Sequence, residues 1–239
     1  MPDIIPLQVP HAADAPPPAL AALAGCFRAG EIVALLLADD VDRSEVVRSA
    51  SGAMPANAAH LTREPALRAW LSLSENVAFG RGGLSSFSRE GLVANALGRT
   101  GLGGLAQARP GELDAEQRHA VALARIYLSR PAALLMDEPF APLSHGARAR
   151  LEEILLTFWR ESRPGIVLTT RDAGQAARLA DRILVLRGRT PRIVAGFVNL
   201  QPRPRDPESA GMRALRREVA RTLMAAPFAT PRPGLAAAM

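Results

Sequence analysis

Three short apolar runs, Ile32–Leu37, Ala132–Met136 and Gly165–Thr169, constrain this chain more than any other feature. None alternates polar with apolar residues, the mark of a strand buried on both faces. The segments between them read as helices. Ser44–Ser51 ends at Gly52. Asp114 followed by Gln117 forms a capping box that opens a helix running to Ser129, where Pro131 stops it. Leu151–Arg160 carries Glu152 and Glu153 near its expected start, as the helix dipole favours, and Ala173–Ala180 follows. Arg182–Arg187 reads as a fourth, edge-like strand. The alternation predicts an α/β fold with a mostly parallel sheet covered by helices.

The flanks are less regular. Pro16–Pro18 breaks any element, and Ala19–Phe27 reads as a strand or short helix. Residues 63–115, with short helices at Asn76–Phe79 and Leu92–Leu97, read as a helical subdomain inserted in a single domain spanning 1–225. An amphipathic helix is expected at Gly211–Met224, and a disordered tail at 226–239.

Composition narrows the function. The chain has 29 basic and 23 acidic residues, a formal charge of +6, and no lysine at all. The arginines are scattered and aromatics make up only 4%, which argues against gripping nucleic-acid strands. The single Cys26 excludes an internal disulfide and suits buried packing. His11, His60, His119 and His145 lack metal-ligand spacing and read as surface or partly buried residues. No apolar stretch is long enough to span a bilayer and no targeting segment opens the chain. The expected location is cytoplasmic, peripheral on the inner face of the membrane only through partners, with no direct insertion.

The second apolar run ends in Asp137-Glu138-Pro139-Phe140, the acidic half of a nucleotide-hydrolysing site. This segment resembles the Walker B motif of ABC transporter ATPases, and Arg118–Arg125 resembles the helix that follows the family's signature motif. Ala180-Asp-Arg-Ile183, Pro202–Asp206, Glu64-Pro65, Trp70-Leu71 and Glu75-Asn76-Val77 follow in order. The likeness is nearest to the nitrate, sulfonate and taurine importers and covers about residues 20–225. It implies a P-loop NTPase-type core with an N-terminal antiparallel β part. It also implies a homodimer or heterodimer that binds a permease, a second ATPase subunit, or both.

The same resemblance exposes departures. The phosphate-binding loop of the family is glycine-rich and ends in lysine. In register stands Leu37-Ala38-Asp39-Asp40-Val41-Asp42-Arg43-Ser44. Non-glycine residues disfavour the convergence of backbone N–H groups on phosphate. Like charges ~4 Å apart cost ~4 kcal/mol at an effective dielectric of ~20, so Asp39, Asp40 and Asp42 oppose a polyanion. Arg43 is expected to pair with one of these three acids. Two readings of the loop stand side by side: a solvated acidic turn, or a carboxylate lodged at the helix N-terminus as a phosphate surrogate. Asp114 and Glu116 replace the signature serine and second glycine, Arg63 the Q-loop glutamine, Arg171 the switch histidine and Ser144 the D-loop aspartate. No aromatic residue for stacking adenine is evident in the first strands.

These changes predict a pseudo-ATPase: a catalytically degenerate, structural or regulatory subunit of an anion or sulfonate importer. ATPase activity is expected to be absent or very weak, with no cofactor. Asp137 becomes a vestigial magnesium position, and Glu138 and Arg171 vestigial catalytic ones. Asp40, Asp42, Arg43, Ser44, Arg63 and Asp114 mark an altered nucleotide site. The alternatives are a functional ATP-hydrolysing subunit with ATP and Mg2+, or a soluble interaction protein outside transport.

Overall fold

The computed structural model describes residues 4–7, 28–79 and 86–224. Ala19–Phe27, Cys26 and the tail at 226–239 lie outside them.

Strand β2 (Ile32–Leu37) is buried at every residue because both of its faces are covered. Ile32, Ala34 and Leu36 join the larger core, which includes residues of helices α4 (Ala115–Ser129), α5 (His145–Ser162), α6 (Ala173–Leu179) and α7 (Ala210–Met224). Val33, Leu35 and Leu37 pack with Val46 and Ala50 of α1 (Arg43–Gly52) on the opposite face. One strand thus serves two hydrophobic layers, which is why its sequence does not alternate.

Among the described residues the sheet has seven strands in the order β1-β7-β6-β2-β5-β4-β3. Strands β3 (Ala58–Leu61), β4 (Ala133–Asp137), β5 (Gly165–Thr170), β2 and β6 (Arg182–Arg187) run parallel. Strands β7 (Arg192–Asn199) and β1 (Ile4–Leu7) add antiparallel pairs. The predicted mostly parallel α/β fold with flanking helices is therefore present.

Three local expectations are corrected. Strand β6 is interior, between β2 and β7, and its burial reflects that position. Helix α5 begins at His145, because the Ser144 hydroxyl accepts a bond from the Ala147 N–H at 3.4 Å. Glu152 consequently lies within the helix, not at its start. It is buried, accepting bonds from Gln175 Nε2 at 2.9 Å and Arg178 Nε at 3.1 Å. The four-residue β3, Ala58-Ala59-His60-Leu61, and β7, with Arg192 and Gly196 inside it, lack the unbroken apolar run that marks the core strands.

Between β3 and α4 lie helices α2 (Leu73–Ala78) and α3 (Ser86–Arg99), both packed against α4. Buried Asn76 holds the segment before α2 together. Its amide accepts from the Arg68 N–H at 2.8 Å and donates to the carbonyls of Arg68, Leu71 and Ser72 at 3.0–3.1 Å. Helix α4 carries the predicted capping box, with Gln117 N–H donating to Asp114 Oδ1 at 2.8 Å and Asp114 N–H to Gln117 Oε1 at 3.0 Å. Among the described residues no helix is long and apolar enough to cross a membrane.

Candidate functional site

Parallel strands bring different parts of the chain to one edge of the sheet, and ligands of such sheets bind at the carboxyl ends of the strands. Here β2, β4 and β5 are neighbours, with Asp137 paired in register with Thr169. Their carboxyl ends place Arg43, Asp137, Glu138 and Arg171 together.

Arg43 is the first residue of α1, and its Nη1 donates to Asp137 Oδ2 at 2.6 Å. This corrects the expectation that it pairs with an acid of its own loop. Each of those acids has another partner. Asp39 accepts from Arg171 Nη1 at 2.8 Å, Asp40 from the Gly188 N–H at 3.0 Å, and Asp42 from the Ser44 N–H at 2.9 Å as the cap of α1. The loop also closes on itself, with the Val41 N–H donating to the Ala38 carbonyl at 3.1 Å. Asp42 therefore already supplies a carboxylate to the helix N-terminus.

Thr169 couples the two acids at the end of β4. Its hydroxyl donates to Asp137 Oδ1 at 3.2 Å and accepts from the Glu138 N–H at 3.1 Å. Nothing in the apolar run containing it signalled this role. Glu138 is buried and has φ +43°, a left-handed conformation that is uncommon for a non-glycine residue and clusters at functional sites. Arg63 Nη1 stands 3.7 Å from its Oε2 and Arg171 Nε 3.4 Å from its Oε1. That Oε1 is buried yet accepts no hydrogen bond. Arg63 in turn is tethered through its carbonyl, 3.0 Å from His119 Nε2. His119 is thus a buried, bonded residue of the scaffold, with its Nδ1 2.7 Å from the Ala115 carbonyl.

The signature-region residues lie apart from this cluster in their bonding. Asp114 caps α4, while Glu116 accepts two bonds from Arg150, at 2.7 and 2.6 Å. Glu116 is therefore paired with a cation, and its charge does not stand alone against an approaching phosphate. Ser144 is engaged as the cap of α5, and Ser44 is exposed on the first turn of α1.

The chain is 34% identical over 196 residues to the aliphatic sulfonates import ATP-binding protein SsuB 1 of Pseudomonas fluorescens, covering 78% of this chain and 74% of that protein. It belongs to the ABC-transporter ATP-binding subunits related to the SsuB proteins of sulfonate import. SsuB 1 of Paracoccus denitrificans is 35% identical over 208 residues, covering 81% of this chain and 83% of the relative. CbiO1 of Clostridium perfringens, part of the ABC transporter complex CbiONQ, superposes with a TM-score of 0.61 at 21% identity. That alignment covers 72% of this chain and 78% of CbiO1. At that identity the likeness speaks for the fold alone. No protein-family model matches the chain.

Kinship with these SsuB proteins overturns three linked expectations: the loss of ATPase activity, the pseudo-ATPase label and the absence of an ATP and Mg2+ cofactor. They rested on the missing glycines and lysine of the phosphate loop together with the altered positions Asp114, Glu116, Arg63, Arg171 and Ser144. That reasoning paired Arg43 with an acid of its own loop and took Arg63 and Arg171 one by one as losses, whereas the fold gathers all three arginines on Asp137 and Glu138.

Proposed function

We propose that this chain is the ATP-hydrolysing subunit of a sulfonate-type importer, with a phosphate site built on arginine. The observation that supports this most is the convergence of Arg43, Arg63 and Arg171 on Asp137 and Glu138, in a chain related to SsuB. Three guanidinium groups offer the charge and planar donor geometry that phosphate oxygens accept. The buried, unbonded Glu138 Oε1 is an acceptor still open at the centre of the cluster. By donor chemistry the site fits a polyphosphate, though through side chains in place of a glycine backbone cradle.

In this reading Arg43, Arg63 and Arg171 bind phosphate oxygens, with the exposed Ser44 hydroxyl beside them. Asp137 offers its carboxylate to Mg2+. Among the described residues no group of three or more His, Cys, Asp or Glu side chains forms a metal cage, and magnesium commonly takes its other ligands from water and phosphate. Bound ATP supplies the transferable phosphoryl group and Mg2+ offsets its charge. Glu138, held by its strained backbone and by Thr169, orients water and accepts its proton. Asp40 and Asp42 fix the loop, and Asp114 fixes the start of α4.

Several broader features belong to the same proposal. They are the single domain over 1–225 with its insert at 63–115, pairing with a permease and a second ATPase subunit, and a peripheral cytoplasmic location. Calorimetric titration of the purified chain with Mg-ATP tests the core of it. Saturable binding with a dissociation constant below about 1 mM, or about 4 kcal/mol, is expected. No saturable heat at that concentration would count against it.

A further inference from the structure

Given the nucleotide-binding role proposed above, we infer that Arg43 is a two-position residue that makes polyphosphate bind before the divalent cation and without its help. At rest its guanidinium occupies the carboxylate that a cation needs. Arg43 Nη1 lies 2.6 Å from Asp137 Oδ2, while Asp137 Oδ1 accepts from Thr169. Both carboxylate oxygens are engaged, and a divalent cation there meets a positive charge already seated.

The charge balance around the pair explains how it opens. Arg43, Arg63 and Arg171 face Asp137, Glu138 and Asp39. The resting cluster is three positive charges against three negative. Arg43 is about one-third exposed, whereas Asp137 is 13% exposed. The arginine therefore has solvent on one side and freedom to turn, while the carboxylate stays fixed at the end of β4. An arriving polyanion competes with Asp137 for the guanidinium and wins by carrying more charge and more acceptor oxygens. Once Arg43 has turned, Asp137 is an uncompensated carboxylate, and the cation follows onto it.

The test is ATP binding to the full-length chain, measured by calorimetry in EDTA and in Mg2+. The expected result is a dissociation constant in EDTA within about fivefold of that in Mg2+. Two variants should move the EDTA value in opposite directions. Arg43→Gln removes the mobile charge and should weaken binding by about tenfold or more. Asp137→Asn releases Arg43 from its resting partner and should tighten binding by about threefold or more. A gain of affinity cannot come from a misfolded protein. Wild-type binding that weakens more than fivefold in EDTA overturns the inference and leaves the ATP-binding role standing. The wrong sign, or no change, in either variant also overturns it. Failure to bind ATP in both conditions overturns the ATP-binding role itself, and this inference with it.

Discussion

Arg43 and Asp137, 94 positions apart in sequence, form a 2.6 Å ion pair that joins the start of α1 to the end of β4. The pair sets the electrostatics of the site. It neutralises the acid that would otherwise stand bare, and it stores a guanidinium next to where a phosphate would arrive. A loop that looks hostile to anions in sequence is therefore balanced in three dimensions, since Asp39, Asp40 and Asp42 also have partners of their own.

Thr169 should matter to both acids together. Thr169→Val keeps the shape of the strand and removes the hydroxyl that bonds Asp137 and Glu138. A loss of about 1–2 kcal/mol in stability is expected in urea unfolding, along with a fall in ATP turnover. Unchanged stability and turnover would show that the hydroxyl has no part in holding the acids.

Asn76 tests the segment that leads into α2. Asn76→Ala strands the Arg68 N–H and the Leu71 carbonyl, while the Arg68 and Ser72 carbonyls keep backbone bonds from the Leu71 and Asn76 N–H groups. The expected cost is about 2–3 kcal/mol, read as a lower urea midpoint at constant slope. Asn76→Asp keeps the acceptor and loses the donors, so it should be nearly as costly.

The Glu152–Arg178 pair is legible only in the structure. Arg178→Met leaves a buried carboxylate with Gln175 as its remaining partner. Because Arg178 is 27% exposed, the loss is expected nearer about 2 kcal/mol than the 3–5 typical of fully buried pairs. Glu152→Gln together with Arg178→Met should recover part of it, and thermal unfolding of the single and double variants measures the difference.

Acid should loosen the start of α2. The bond from the Ser72 N–H, and then the one from its hydroxyl group, hold Glu75 below the ordinary glutamate value of 4.5. A depressed folded-state value means that this contribution is present above about 4.5 and lost as pH falls through the lower folded value. Carboxyl-carbon NMR should show Glu75 titrating below 4.5, and Ser72→Ala should move its midpoint back toward it.

The core of the fold was readable because its strands are unbroken apolar runs and its helices carry caps. Asp114 with Gln117 located α4 to the residue. The start of α5 was missed because its first turn, His145-Gly146-Ala147-Arg148, has little apolar pattern and depends on the Ser144 cap. The acids Asp137 and Glu138 were found from their place after a strand. Their partners were not, because Arg43, Arg63 and Arg171, which follow β2, β3 and β5, come together only through the strand order β2-β5-β4-β3. Sequence showed what had been lost from the phosphate loop, while the compensating arginines are a property of the topology.

Phosphate release from Mg-ATP by the purified wild-type chain, beside Glu138→Gln, addresses the central claim most directly. Turnover of the order of ~1 per second is ordinary for enzymes. The arginine-built site predicts measurable turnover that falls by about a hundredfold in the variant, as expected for loss of a general base. Equal rates in the two proteins, or no turnover above background in either, would contradict it.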